Sequence, residues 1–374
     1  MTKKLLYMSE PRQATWLELF FDLIFVVALG KLTHLLAHVH DGHLDAGVWP
    51  HLILAFIPMW WIWVGHTVYG NRFDSDARSH RVATLLLMFL LMLASVFIGD
   101  SLKENHAPFV IVYGIARLFI AWFYFGAASK HPDKAAFAQR TGITFLVGAL
   151  ISASAALLPF QAAVVVFYAG ILFDVVGRKF IVTQSIPVDR DHLVERVGLL
   201  AIIMLGESVI SISASLAGVV WDPLTAITAV VGFLFICMIW WMYFDSFPLL
   251  IDSELDSNGD AILVSQLSTY ISFAVLANMI RHAILDDLGL ADFRIMVVVG
   301  VGLFYLGKQT AYYVNRPEYR LPIWLNTISM SIIVGFSLFL PEPQYILFGA
   351  AFSKMVYIAM NYRTQVKLYG HAHL

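Results

Sequence analysis

Carboxylates at Glu18, Asp22, Asp174, Glu195, Glu207 and Asp245, and cations at Arg117 and Lys354, fall within or at the ends of stretches that are otherwise apolar. A lone charge in hydrocarbon costs about 2.5–3.5 kcal/mol on insertion scales, so each such group should face a partner, a water-filled cavity or a solute. The chemistry open to isolated intramembrane carboxylates is the binding of a cation or a proton. Arg117 or Lys354 would balance them or meet an anionic solute.

The first such stretch contains two carboxylates of different kinds. Thr15-x-x-Glu18 fits a capping box, in which the Thr hydroxyl and the Glu carboxylate satisfy unpaired backbone N–H groups at a helix start. Asp22 lies one turn further in, on the same face as Glu18, where no cap accounts for it. Lys31, His34 and His38 share a different face at the far end, and His40, Asp41, His43 and Asp45 follow. Imidazoles at i, i+4 suit zinc or copper, which makes His34 and His38 a candidate metal pair.

Glu207 falls near the middle of LAIIMLGESVISISASLAG. Ser208, Ser211 and Ser215 are near it, and Ala214 and Gly218 complete a small-residue side. Such a face packs closely against a neighbouring helix, or forms a polar track with a carboxylate at the midplane. Asp174 and Lys354 are 180 residues apart and are expected to pair across an internal symmetry axis. Asp245 follows an aromatic cluster and is a further candidate.

The elements that position these groups are membrane helices. The chain is 59% hydrophobic and 13% charged, against roughly 25% charged in soluble domains. Apolar stretches long enough to cross a bilayer are predicted over 16–39, 49–69, 82–99, 108–128, 141–158, 161–177, 193–217, 224–247, 261–281, 293–314, 322–340 and 344–362. The fold class is therefore all-α and polytopic, with about twelve transmembrane helices and the lipid bilayer as its first partner.

Lys3, Lys4, Arg12, Arg72, Arg78, Arg81, Lys130, Lys134, Arg140, Arg178, Lys179, Arg190, Arg196, Arg316, Arg320, Arg363 and Lys367 gather on alternate loops. That pattern predicts both termini on the cytoplasmic side of an inner membrane. Acidic Asp252, Glu254, Asp256 and Asp260 are the dissenting loop. The first fifteen residues lack the apolar core of a cleavable signal, so the first helix is expected to direct insertion. Cys237 is the single cysteine, which excludes an intrachain disulfide and makes a thiolate metal site unexpected. No Gly-rich phosphate loop or nucleic-acid-binding stripe is present, and a homo-oligomer is compatible with the composition.

Met59-Trp60-Trp61-Ile62-Trp63 is echoed by Ile239-Trp240-Trp241-Met242-Tyr243. Each cluster is followed by a charged segment and preceded by a span opening with a Glu, at Glu18 and Glu195. The offset, about half the chain, predicts two parallel six-helix repeats, over 1–180 and 181–374, related by an axis along the membrane normal.

The run Thr15-Trp16-Leu17-Glu18-Leu19-Phe20-Phe21-Asp22-Leu23-Ile24-Phe25-Val26 resembles the start of the bacterial low temperature requirement protein A family. The resemblance continues in Asn71-Arg72-Phe73-Asp74-Ser75-Asp76 with His80-Arg81, in His192-Leu193-Val194-Glu195-Arg196-Val197-Gly198-Leu199, and in Leu205-Gly206-Glu207-Ser208. Val197 departs from the polar residue expected there. The resemblance implies an integral membrane protein needed for growth in the cold and supplies no substrate, cofactor or reaction. The expectation drawn from the residues is a secondary transporter or channel-like permeation protein. The alternatives are a membrane-embedded enzyme acting on lipid or through a metal, and a sensor or scaffold for cold adaptation.

Overall fold

A computed structural model describes residues 12–73, 77–98, 103–182, 186–251 and 258–369. Lys3, Lys4, Asp74, Ser75, Asp76, Asp252, Glu254 and Asp256, used above, lie outside the described residues, as does the side chain of Lys179. The helices are α1 Trp16–Leu35, α2 Val48–Arg72, α3 Arg78–Phe97, α4 His106–Lys130, α5 Ala135–Ser154, α6 Phe160–Ile181, α7 Arg190–Leu216, α8 Pro223–Phe244, the single turn α9 Pro248–Ile251, α10 Asp260–Leu285, α11 Leu290–Asn315, α12 Arg320–Ser337 and α13 Pro343–Tyr369. There is no strand among the described residues, only a bridge between His40 and His43. Each expected apolar stretch coincides with one long helix.

Nine of the helices described are long and apolar enough to cross a membrane. This is a multi-pass membrane protein. α1, α12 and α13 fall outside that group; α1 does so while carrying Glu18, Asp22 and Lys31 in 20 residues. It nevertheless reaches about 30 Å at 1.5 Å per residue.

The helix starts follow from local chemistry. Thr15 has extended backbone, its hydroxyl accepts from the Glu18 amide, and the Glu18 carboxylate accepts from the Thr15 amide at 2.9 Å, which completes the expected capping box. Asp189 accepts from the His192 amide at 3.2 Å, and Asp222 from the Thr225 amide at 2.8 Å. α1 ends at Leu35, four residues short of the expected span. His38 therefore lies beyond the helix, and the i, i+4 geometry proposed for His34 and His38 is not present. The chain turns instead through Asp41 (φ 50°) and Gly42 (φ 81°).

α2 and α10 form the centre. Their most apolar stretches are 78% and 83% buried, against 28% for α8. Trp60 and Trp63 stack at 4.7 Å, and Tyr270 of α10 meets Trp60 edge-on at 5.3 Å. The echoing pair behaves differently, since Trp240 and Trp241 are exposed on α8. α1 and α7 run side by side in the same direction: Glu18 meets Arg196 near one end, and Gly30 meets Glu207 eleven to twelve residues later on both helices.

A second centre holds α4, α5 and α6 together. Arg117 pairs with Asp174, and both are fully buried. Its guanidinium also donates to the Gly148 carbonyl at 2.9 Å and the Ser152 hydroxyl at 2.7 Å, while Trp61 Nε1 donates to Asp174 at 2.8 Å. A Cβ on Gly148 would collide with Asp174 and Arg117 and stand 2.6 Å from the Gly170 carbonyl. Gly148→Ala is expected to cost about 3 kcal/mol, since none of those groups can retreat without breaking the buried pair. Unfolding of the variant in detergent measures this; a loss below about 1 kcal/mol would show that the cradle yields.

Candidate functional site

The α1–α7 contact is a seam of buried charge. Asp22 is fully buried and receives two parallel bonds from Arg196, Nε to Oδ2 at 3.1 Å and Nη2 to Oδ1 at 2.6 Å. Such forked pairing fixes geometry as well as charge. Trp63 of α2 donates its indole N–H to Asp22 Oδ1 at 2.8 Å, and its ring lies 5.8 Å from the guanidinium carbon. Arg196 also reaches Glu18 at 3.0 Å. Glu18 in turn lies 3.5 Å from Arg12 and 3.4 Å from His192.

Asn71 fixes His192 from the other side. Its amide nitrogen lies 3.1 Å from His192 Nδ1, and it exchanges hydrogen bonds of 2.8 Å with the backbone of Asp189. Glu195 is half-buried, and its carboxylate accepts from the Ala14 amide at 3.1 Å. Val197 is buried, and its carbonyl accepts from the Tyr270 hydroxyl at 2.7 Å. The three helices thus share one network in which two acids of α1 are held by one arginine of α7.

Cavities lie at both ends of the seam. One of about 640 Å³ at the start of α1 is lined by Glu18, Arg12, His66, His80 and Arg81. The other, about 470 Å³ at the end of α1, is lined by Gly30, Thr33, His34, Glu207, Ser211 and Asn278. A separate void of about 10 Å³ beside Glu207 is lined by Val26, Leu29 and Met204. Glu207 makes no hydrogen bond or ion pair among the described residues, and its Oε1 stands 3.4 Å from where a Cβ on Gly30 would sit. Gly30 is therefore what lets the carboxylate approach α1.

Near the second cavity, His282 of α10 ties down the end of α1. Its Nε2 lies 2.8 Å from the Leu36 carbonyl and its Nδ1 2.6 Å from Asp287. Burial pushes the Asp287 carboxyl up, but the hydrogen bond from His282 and the charges of His282 and Arg281 outweigh it and hold the carboxyl below its ordinary value. A depressed carboxylate stabilises the fold above its unfolded value, about 3.9 for Asp, and that contribution vanishes as pH falls through the lower folded value. Asp287→Asn should therefore lower the unfolding temperature at pH 7 and leave it unchanged in strong acid. A deficit that grows as the pH falls would contradict this sign.

The other sequence candidates sit elsewhere. Asp174 and Lys354 do not pair: Asp174 is taken by Arg117 and Trp61, while Lys354 donates to the Tyr305 hydroxyl at 2.9 Å and lies over that ring at 4.2 Å. Neither Arg117 nor Lys354 balances Asp22, because Arg196 already does. Asp245 accepts from Asn361 at 3.0 Å and Gln365 at 2.9 Å. Asp22 and Glu207 share the seam but not a cavity, because Arg196 and Trp63 enclose the aspartate. No group of three or more His, Cys, Asp or Glu placed to hold a metal occurs among the described residues.

Arg196, Trp63 and Asn71 are the participants that residue patterns missed; buried Lys308, also missed, lies outside the seam, its Nζ 3.2 Å from the Ser246 hydroxyl. Arg196 passes in sequence for a loop cation. Its signal is the i, i+4 spacing from His192 inside a helix that Asp189 caps.

These features define a multi-pass helical membrane protein with a charge-paired seam between two parallel helices. The profile described as Bacterial low temperature requirement A protein (LtrA) matches residues 13–360, and the chain belongs to that family. An uncharacterized protein of Rhizobium meliloti (strain 1021) is 23% identical over 342 residues, covering 87% of this chain and 80% of the relative. No solved structure matches.

Proposed function

We propose that this protein is a secondary transporter or channel-like permeation protein that moves a cation, a proton or a cationic solute along the α1–α7 seam. The observation that carries this reading is the pair of cavities at opposite ends of that seam, with the Asp22–Arg196 contact between them. Glu18 and Gly30 are twelve residues apart on α1, so about 18 Å separates the two ends. Glu207 is the binding group, exposed to the second cavity and in no ion pair among the described residues, while Arg281 in the same lining is paired with Asp287 at 3.5 Å. Asp22 and Arg196 form the gate, and Glu18, with Arg12 and His192, anchors it.

All twelve long helices cross the membrane in this reading, and 1–180 and 181–374 are parallel six-helix repeats. Three features support the duplication. α1 and α7 are parallel neighbours. α4 and α11 are each followed by a single 3-10 turn, Pro132–Lys134 and Pro317–Tyr319. The residues before those turns, His131 (φ −124°, ψ 83°) and Arg316 (φ −134°, ψ 82°), share a backbone conformation. Trp63 and Tyr243, matched in the aromatic clusters, both reach the preceding long helix, at Asp22 and at the Val197 carbonyl. The distribution of Lys and Arg supports cytoplasmic termini in an inner membrane.

Flux in proteoliposomes tests the function. Protons and monovalent and divalent cations are offered in turn, together with cationic amines. Uptake of at least one above protein-free liposomes is the expected result, and none across the panel would reject permeation.

A further inference from the structure

We propose that the cavity at the start of α1 binds the phosphate head of an anionic lipid, with the acyl chains lying on α1 and α3. The observation behind this is His66. It is 2% exposed and lines the cavity, and neither ring nitrogen has a hydrogen-bond partner. Buried polar atoms ordinarily have one, and an imidazole in either tautomer carries at least one N–H to donate. Its ring is clamped by Phe21 at 4.0 Å, in stacked geometry, so it cannot turn away to find a partner elsewhere.

The surrounding charges select an anion. Arg12, His80 and Arg81 line the same space, and the His66 and His80 rings are parallel at 6.3 Å. The one carboxylate in the lining is Glu18, and it is committed to Arg196 at 3.0 Å and Arg12 at 3.5 Å. Guanidinium groups match phosphate oxygens with forked N–H donors. Basic pockets between membrane helices on the cytoplasmic side suit phosphate-bearing lipid heads.

The rim argues for a lipid rather than a soluble phosphate. Trp16 is 88% exposed, and Phe20 and Leu85, also exposed, stand on the cavity wall. This cavity, with Glu18 and Arg12 on its wall, is also the one the permeation reading uses, but the lipid site rests on His66 and is read by binding rather than flux, so the two can fail separately.

The test measures binding to the full chain in detergent, with dioctanoyl phosphatidylglycerol, dioctanoyl phosphatidylcholine and inorganic phosphate as probes. Phosphatidylglycerol should bind saturably, at least about tenfold more tightly than phosphatidylcholine, a difference of about 1.4 kcal/mol. Inorganic phosphate should be weaker still. His66→Phe, which keeps the stacking and removes the N–H, and Arg81→Gln should each weaken the anionic lipid severalfold. Equal binding of the two lipids, phosphate binding as tight as the lipid, or a folded His66→Phe protein that binds as wild type would each overturn the proposal. The comparison of probes on wild type holds even if a variant fails to fold.

Discussion

Arg196→Leu is expected to remove about 3–5 kcal/mol of stability, the cost of leaving a buried charge without its partner. The variant strips Asp22 of both guanidinium bonds and leaves it with the Trp63 indole alone. Glu18 loses less, because Arg12 and His192 remain beside it. Asp22→Leu alone should be similarly damaging, since it leaves Arg196 fully buried with only Glu18 as a counter-charge. The double variant Asp22→Leu/Arg196→Leu should recover most of the loss, because replacing both partners of a buried pair removes the desolvation penalty with the attraction. Unfolding of the four proteins in one detergent closes the cycle. Additive losses would mean that the two side chains do not act as a pair.

Glu207→Gln should behave in the opposite way. The fold should hardly notice, since the carboxylate makes no bond that an amide would break. If the permeation reading holds, cation flux should fall at least about tenfold, since an amide would not replace the charge proposed to hold the cation in the cavity. Gly30→Val should give the same functional loss by occupying the space next to Glu207 Oε1. Stability and flux thus separate two classes of carboxylate, with Asp22 bonded within the seam and Glu207 proposed as the binding group. Unchanged flux in a folded Glu207→Gln protein would remove Glu207 from the pathway.

Much of this architecture is written locally. Each long helix announces itself by an apolar stretch, and Thr15-x-x-Glu18 marks the start of α1 through groups only three residues apart. The end of α1 was less legible. The apolar pattern runs past Leu35, but packing of His282 against the Leu36 carbonyl fixes where the chain leaves the helix, and that partner lies 246 residues away. Pairings across the fold were illegible for the same reason. Asp174 and Lys354 match in sequence offset, yet Arg117 lies one helix-to-helix contact from Asp174 and claims it.

Arg196 shows the limit most clearly. Positive residues near helix ends usually serve orientation, and composition alone cannot distinguish one that snorkels from one that turns inward. Only the parallel apposition of α1 and α7 brings it over Asp22. The same apposition turns Glu18 from a helix cap into a shared ligand of Arg196. Burial, too, separated the two tryptophan pairs, which look alike in sequence: Trp60 and Trp63 are buried in α2, whereas Trp240 and Trp241 are exposed on α8.

The central claim is that two cavities open towards opposite sides of the membrane and are kept apart by the Asp22–Arg196 pair. Single cysteines placed at Gln13, which lines the first cavity, and at Ser211, which lines the second, test it directly in a Cys237→Ser background with a membrane-impermeant thiol reagent. Gln13→Cys should react from one side of sealed vesicles only and Ser211→Cys from the other only. Reaction of both from the same side, or of either from both sides in the otherwise unaltered protein, would contradict the account.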